Sequence, residues 1–198
     1  MGRLNLATQT TPSTPSAGSA EIYIDSADKT AKQIDETGTI RKLISGISYS
    51  LPAAIATSGT GETLLFKLAV PANLVAVGTV FWVNVWGVSS STGTLIFRVR
   101  VGANGTVADN QAWISTTSAA QVANAWTSYT GQITVRSIGT GTVQGTGRCL
   151  AGAIVLPQLI GAAATANVTT SALWYIDVCC TCSVGTFTAH SGTIEQVL

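Results

Sequence analysis

The chain has 198 residues, and although 46% of them are hydrophobic, only 10% are charged, whereas about a quarter of residues are charged in ordinary soluble domains. A net charge of +1 argues against a nucleic-acid-binding protein, which needs clustered Lys and Arg to neutralise phosphates. Intrinsic disorder is also excluded, because it requires low hydrophobicity and high net charge. Threonine (29 residues) and glycine (20 residues) are abundant instead, and since these favour strands and turns, an all-β protein is predicted.

The charges are unevenly distributed along the chain. Residues 1–43 carry ten of the nineteen charged residues, and the rest of the chain carries nine. This shift in composition predicts two regions, a polar N-terminal segment over 1–50 and a nearly neutral domain over 51–198.

Targeting and membrane signals are weak. Residues 1–9 lack the apolar core of a signal peptide. The apolar stretches 74–88 and 149–166 are short or interrupted, by Asn84 and by Pro157 respectively, whereas a spanning helix needs about 20 predominantly apolar residues. We therefore expect a soluble protein that is made in a cytosol and has no membrane partner.

The four cysteines predict buried thiols rather than a metal or redox site. Cys179 and Cys182 have C-x-x-C spacing, with Cys180 between them and Cys149 elsewhere. The surrounding segment has the pattern of a strand, in which positions three apart point to opposite faces. One metal ion could not easily bind both thiols, and we predict no metal and no cofactor.

The N-terminal region predicts an extended arm followed by a small β-meander. Residues 7–20 are rich in Pro, Ser and Thr, a composition typical of an extended segment. Short strand patterns follow at 21–25, 31–35 and 39–44, separated by turn residues. In the first of these strands, Ile22 and Ile24 share one face. A unit this small is marginal alone, so we expect it to be ordered against a partner or the main domain.

From about residue 60 the pattern is one of successive strands. Apolar and polar residues alternate over 64–70, 81–86, 95–101, 133–136 and 174–180, and two further runs follow from residue 185. Gly- and Ser/Thr-rich segments at 89–93, 102–105, 139–142 and 145–147 are interpreted as turns. About eight strands of this kind predict a jelly-roll β-sandwich.

Catalytic chemistry has few candidate residues. His190 is the one histidine, and no nucleophile elbow or phosphate-binding loop accompanies it. We predict that the protein is not an enzyme. A polysaccharide hydrolase with a carboxylate pair remains an alternative, its four candidate acids in the main domain being Glu62, Asp109, Asp177 and Glu195.

Two groups of side chains are candidates for binding. Trp82, Asn84 and Trp86 share one face of a predicted strand, an arrangement that suits sugar stacking but also packing in the core or against another subunit. Arg98 and Arg100 alternate along another strand and would form a basic row with Arg136 if the two strands were neighbours. Such a row could contact an acidic partner or a glycan, or be solvated and paired with acids.

Several segments resemble virion proteins of tailed bacteriophages. In the N-terminal region these are QTTPSTPSAG (9–18), EIYID (21–25) and IDETGTIR (34–41). In the main domain GTLIFRVRVG (93–102), and Trp126 followed by GQITVRSIG (131–139), resemble a β-sandwich common in head and tail fibres and related decorations.

The resemblance implies a capsid cement or decoration protein, bound to the major capsid protein on the outer surface of the head and packed as a homotrimer. Assembly would occur in the host cytoplasm. It also implies that the arm and meander bind the shell, with candidate contact residues Pro12, Pro15, Ile22, Tyr23, Ile24, Ile34, Ile40 and Arg41. The alternative is a receptor- or glycan-binding module of a head or tail fibre, although the chain has no heptads and no fibrous repeat.

Overall fold

The computed structural model describes residues 8–27, 31–42, 47–90, 92–115, 117, 123–151, 162–163 and 165–197. These residues form sixteen β-strands and no helix, which confirms the all-β prediction for the described part of the chain. The chain divides into two compact units, Met1–Ser45 and Gly46–Leu198. The boundary lies slightly before the predicted one because the strand at residues 48–50 pairs with the last strand of the chain.

Unit 1 is a four-stranded sheet. Its strands are β1 (Thr8–Gln9), β2 (Ala20–Asp25), β3 (Ala31–Asp35) and β4 (Ile40–Lys42). They lie in the order β1-β2-β3-β4, and β2, β3 and β4 form the predicted antiparallel meander. The turn between β3 and β4 is closed by Asp35, whose Oδ1 accepts hydrogen bonds from the backbone N–H groups of Thr37 (3.0 Å) and Thr39 (2.9 Å).

The buried face of this small sheet differs from the one that the isoleucine pattern suggested. Tyr23 and Ile34 are buried, whereas Ile22 is 52% exposed and Ile24 is half-buried. Alternation along β2 puts Tyr23 on the face opposite to Ile22 and Ile24. The large aromatic side chain therefore occupies the protected face of β2.

The Pro-rich segment folds back along unit 1. β1 pairs in parallel with β2, and Gln9 bonds to Glu21 through its side chain (Nε2 to Oε1, 3.0 Å). Farther along, the backbone N–H of Gly18 donates to the carboxylate of Glu36. Pro12 and Pro15 are half-buried. Residues 8–19 are thus held by hydrogen bonds at both ends.

Unit 2 contains twelve strands in its described residues. They are β5 (Ser48–Ser50), β6 (Ile55–Ala56), β7 (Glu62–Val70), β8 (Val80–Ser89), β9 (Leu95–Gly102), β10 (Asn110–Ile114), β11 (Trp126–Val135), β12 (Thr140–Ala151), β13 (Ala162–Ala163), β14 (Thr165–Thr169), β15 (Trp174–Cys182) and β16 (Phe187–Val197).

These strands form two antiparallel sheets. The larger sheet has the order β14-β12-β11-β8-β16-β5, with β6 also paired to β16, and the smaller has the order β13-β10-β9-β15-β7. Inward side chains of both sheets form one apolar core, as in a β-sandwich. Phe81 of β8 meets Trp174 of β15 edge to face (centroids 6.0 Å apart), and Phe97 of β9 meets Phe187 of β16 in the same way (5.1 Å).

The glycine-rich segments at 139–142 and 145–147 were predicted as turns, and for most of their length this is wrong. Gly139 has φ +84° and does lie in the connection between strands. Gly141, Gly145 and Gly147, however, lie within β12, which pairs with β11 on one side and β14 on the other. At Gly147 an added Cβ would lie 2.6 Å from the Tyr129 ring. Gly145 and Gly147 make room for Trp113 and Tyr129 inside the sandwich, whereas a Cβ at Gly141 would clash with the backbone of Ser137 in the connection before β12.

Candidate functional site

The outer face of the larger sheet carries an exposed aromatic surface. We call it the tryptophan face and define it by Trp82, Trp86, Trp126 and Leu150, which are 44, 36, 56 and 44% exposed. Trp82 and Trp86 share one face of β8, as the sequence predicted, and the structure shows that this face is the exposed one. Trp126 opens β11, and its ring lies against that of Trp86, with centroids 3.9 Å apart.

Polar groups between the aromatic side chains are mainly uncharged. Asn84 lies between Trp82 and Trp86, and its Nδ2 donates to Thr193 Oγ1 (3.3 Å) on β16. Across the sheet, Trp82 is flanked by Gln132 of β11 and Glu195 of β16. The tryptophan face therefore offers aromatic area and amide or hydroxyl groups, with charge at its borders.

His190 belongs to this surface because of a β-bulge. The pairing of β16 with β8 shifts between Ala189 and Ser191, so His190 is the extra residue. Its ring lies 5.6 Å from that of Trp86, and the side chain is exposed. Within the described residues, this histidine contacts an aromatic ring and is not hydrogen bonded to a serine or an acid. The geometry gives this histidine the role of a surface aromatic residue.

A shallow groove of about 350 Å³ lies beside Trp82 on the same face. Thr130 and Gln132 of β11 line it together with Thr146 and Arg148 of β12. Sequence analysis missed Trp126, Gln132 and Arg148. The signal for Trp126 and Gln132 was the alternation of β11, which runs back from Ile133 to Trp126 and was recognised only at its C-terminal end. Arg148 lies in β12, whose glycines were interpreted as turns.

The arginines predicted as a basic row do not form one with Arg136. Arg98 and Arg100 lie on β9 of the smaller sheet, whereas Arg136 follows β11 of the larger sheet. Both arginines of β9 contact the carboxylate of Glu62 in β7. Arg100 makes a bidentate contact with it (Nε to Oε1 2.6 Å, Nη2 to Oε2 2.8 Å), and Arg98 Nη1 lies 3.6 Å from Oε2.

Three of the four candidate acids meet on the outer face of the smaller sheet. Glu62 binds the arginines, and Asp177 of β15 lies beside Asp109, at the end of the β9–β10 loop. Asp177 is 0% exposed and Asp109 is 4% exposed. A glycoside hydrolase needs both carboxyl groups open to its substrate, whereas Asp109 and Asp177 are both buried. Glu195 lies on the other sheet.

All four cysteines are free and buried. Cys180 and Cys182 belong to the core, whereas Cys179 lies on the opposite face near Glu62, as expected for a strand. Burial raises the pKa of the Cys149 thiol to about 12, so this thiol is uncharged at neutral pH. Among the described residues, no three His, Cys, Asp or Glu side chains are grouped to bind a metal.

The predicted shell-contact residues all lie in unit 1, with unequal exposure. Ile22 and Ile40 are 52 and 44% exposed and are available for contact, whereas Tyr23 and Ile34 are buried. Arg41 lies in β4, and its side chain is outside the described part of the structure.

No protein-family model and no curated protein matches the sequence. Within the described ranges there is no helix of the length and apolar character needed to span a membrane.

Proposed function

We propose that the chain is a decoration protein of a tailed-phage head, whose unit 2 packs against copies of itself as a homotrimer. Unit 1 would attach it to the major capsid protein on the outer surface of the shell. The observation that carries this proposal is the tryptophan face. It is a broad, exposed and aromatic sheet surface on a unit with few charges.

The chemistry of the tryptophan face suits subunit packing. Aromatic residues are enriched and charged residues depleted at the centre of protein interfaces. The rings of Trp86 and Trp126 pack against each other at an interplanar angle of 36°, while 36 and 56% of the two side chains stay exposed. Burying such a pair stabilises an assembly, whereas the neutral side chains around it leave little charge to desolvate.

The strand pairing of unit 2 supports a jelly roll. In a jelly roll, an antiparallel ribbon is wound so that its first strand pairs with its last, its second with the next to last, and so on inward. The pairs β5·β16, β7·β15, β8·β11 and β9·β10 follow this rule. On this interpretation β12 and β14 extend the sheet that carries the tryptophan face.

Unit 1 supports an attachment role by its polarity. More than half of the charged residues of the chain lie within residues 1–43. Together with the exposed Ile22 and Ile40, they provide polar and apolar contacts on a small unit. In this proposal the attachment element is a compact unit to which the Pro-rich segment is bonded, in place of a free extended arm.

Self-association is the property to test. The full-length protein should form trimers at micromolar concentration by native mass spectrometry, and Trp86→Lys with Trp126→Lys should reduce them to monomers. Val77→Lys is the matched control, because Val77 is 62% exposed and lies in the loop before β8. A wild-type protein that stays monomeric or dimeric, or a double variant that stays trimeric, would contradict the proposal.

A glycan-binding module of a head or tail fibre is the second candidate, favoured by the groove beside Trp82. An aromatic wall with a few amide and hydroxyl groups is a common way to bind a sugar ring, and Gln132, Thr130 and Thr146 provide those groups. Binding on a glycan array that is lost in Trp82→Ala and retained in Val77→Ala would favour it. An array without signal would leave subunit packing as the role of this face.

A further inference from the structure

Asp177 is a buried carboxyl group to which none of the described residues donates a hydrogen bond. It lies in the middle of β15 on the outer face of the smaller sheet, yet it is 0% exposed. Neither Oδ1 nor Oδ2 accepts a hydrogen bond there. A buried carboxylate without donors is strongly destabilised, so this group needs another way to satisfy its oxygens.

The two cationic side chains beside Asp177 make their hydrogen bonds to other groups. Lys67 of β7 and Arg100 of β9 lie directly opposite Asp177 in the register of the sheet. Lys67 Nζ donates to the carbonyl of Gly105 (3.0 Å) and lies 4.8 Å from the centre of the Tyr175 ring. Arg100 donates to Glu62 and to the backbone carbonyl of Asp109 (2.9 Å). Their charges act on Asp177 only through space.

The remaining neighbour of Asp177 is another carboxyl group, that of Asp109. Asp109 Oδ1 accepts hydrogen bonds from the backbone N–H (3.2 Å) and Nδ2 (2.8 Å) of Asn104, and Oδ2 accepts one from the N–H of Gly105 (2.7 Å). These donors make Asp109 the ionised member, and it is close enough to hydrogen bond with Asp177.

The electrostatics of the two acids follow from this geometry. The pKa of Asp177 is raised to about 8, mainly by burial and also by the hydrogen bond and negative charge of Asp109, while Lys67 and Arg100 oppose the shift. Burial also raises the pKa of Asp109, but the hydrogen bonds from Asn104, Gly105 and Asp177 outweigh it and lower that pKa. Cys179, on the same strand, has its pKa raised by burial and is neutral.

We propose that the Asp177 carboxyl group donates its proton to the Asp109 carboxylate, and that this pair is a pH-sensitive latch that holds the β9–β10 loop, residues 103–109, over β15. Here the loop packs closely against side chains of β7 and β15. A Cβ at Gly105 would lie 2.8 Å from Lys67 Nζ and 2.9 Å from the Tyr175 ring. Once the shared proton is lost, two negatively charged carboxylates face each other in a buried site. Their repulsion then destabilises the closed loop relative to the open one.

Opening of the latch would also alter a neighbouring cavity of about 590 Å³. Asn104 and Asp109 of the loop line this cavity together with Asn167 of β14. Asn110, which follows the loop, donates from Nδ2 to the carbonyl of Asn167 (2.9 Å). The latch therefore couples pH to the shape of a polar cavity between the β9–β10 loop and β14.

The sign of the pH dependence follows from the raised pKa of Asp177. An open loop returns this group to water and to its ordinary pKa of 3.8. The closed loop then holds one more proton than the open loop between about pH 4 and pH 8. As far as Asp177 is concerned, closure is strongest at the acid end of this window, weakens by up to about tenfold per pH unit as pH rises through it, and does not recover above it. The lowered pKa of Asp109 weakens closure again in more acidic solution, as that carboxylate is protonated.

Amide hydrogen exchange of residues 103–109 tests the proposal on the full-length protein. Wild type and Asp177→Asn are compared at the same pH, so that intrinsic exchange rates cancel. The side-chain amide of this variant would keep a donor to Asp109 but cannot titrate. We expect the ratio of the wild-type exchange rate to that of Asp177→Asn to rise by at least about tenfold between pH 5 and pH 9.

Two further measurements keep the test decisive. Glu21→Gln in unit 1 is the matched acid-to-amide control and should show the wild-type pH dependence. If Asp177→Asn does not fold, the carboxyl carbon of Asp177 is titrated by NMR in the wild-type protein, with an expected midpoint above pH 7. A midpoint below pH 5, or a ratio of exchange rates that does not change with pH, would overturn the latch.

Discussion

Three glycines inside paired strands determine how the core of unit 2 is filled. Gly131 of β11 pairs with Gly147 of β12. Gly145 is the next residue of β12 whose position faces inward. A Cβ at Gly145 would lie 2.7 Å from Cβ of Trp113, and one at Gly131 would overlap the Tyr129 hydroxyl. The Trp113 and Tyr129 rings, with centroids 4.5 Å apart, use this space. The glycines are there because large aromatic rings need their volume.

Substitution of such a glycine should therefore overpack the core. Gly131→Ala should lower the free energy of unfolding by about 1–3 kcal/mol, because the new methyl group meets Tyr129 and the backbone of Thr146. Gly61→Ala is the control, since nothing lies within 4 Å of its added Cβ. Urea unfolding monitored by fluorescence measures both. Equal stability of the two variants would show that the core relaxes around Gly131 at little cost.

At the level of strands, an ion pair spans the smaller sheet from β7 to β9 over the intervening β15. Glu62 bonds to Arg100 and lies near Arg98, and the side chains of this group are 16 or 17% exposed. Burial alone raises the pKa of Glu62, but the hydrogen bonds and charges of the arginines outweigh it, and the pKa lies below its ordinary 4.5. The ionised form of Glu62 thus stabilises the fold.

Removal of the Glu62 charge should lower the free energy of unfolding at neutral pH and leave it nearly unchanged in acid. Glu62→Gln should lose about 1–3 kcal/mol of unfolding free energy at pH 7, because a half-buried, bidentate contact to arginine is lost. A lowered pKa means that the stabilisation is present above the unfolded pKa and disappears as pH falls through the folded one.

The measurement is urea unfolding of wild type and Glu62→Gln at several pH values, with the exposed Glu195→Gln as the control. The difference between wild type and Glu62→Gln should shrink below about pH 4.5. A difference that stays constant down to pH 3 would mean that the side chain acts through packing instead of charge.

For the whole molecule, the two units differ in how much core each contains. The large apolar cluster lies entirely in unit 2, between Ile47 and Ile194, whereas Tyr23 and Ile34 are the buried hydrophobic residues among the described part of unit 1. Burial of apolar surface is the main stabilising contribution to a fold. Unit 2 should therefore be independently stable, and unit 1 should depend on the rest of the assembly.

Truncation separates the two roles. A fragment of residues 46–198 should unfold cooperatively in calorimetry. If the proposed decoration function holds, the fragment should also remain trimeric and fail to sediment with phage heads to which the full chain binds. Full binding by the fragment would contradict attachment through unit 1. A fragment that is unfolded by circular dichroism would contradict the independence of unit 2.

Much of the β architecture follows from local patterns that the sequence displays. The strict alternation of β8 and β9 predicted both strands and correctly put Trp82, Asn84 and Trp86 on one face. The opposite orientation of Cys179 and Cys182 was predicted on the same basis. Period-2 alternation is a property of the backbone itself, so it does not depend on which strands become neighbours.

Other features depended on partners distant in sequence. β12 was missed because its glycines signal turns locally, and only the rings of Tyr129 and Trp113 explain them. The separation of Arg100 from Arg136 depended on which sheet each strand joins. The bulge that projects His190 likewise depends on the register between β16 and β8.

Composition and alternation determined that this chain is a β protein with a neutral body. Tertiary pairing decided the strand order, the exposure of the tryptophan face and the burial of Asp177, because each is a property of contacts that no local segment contains.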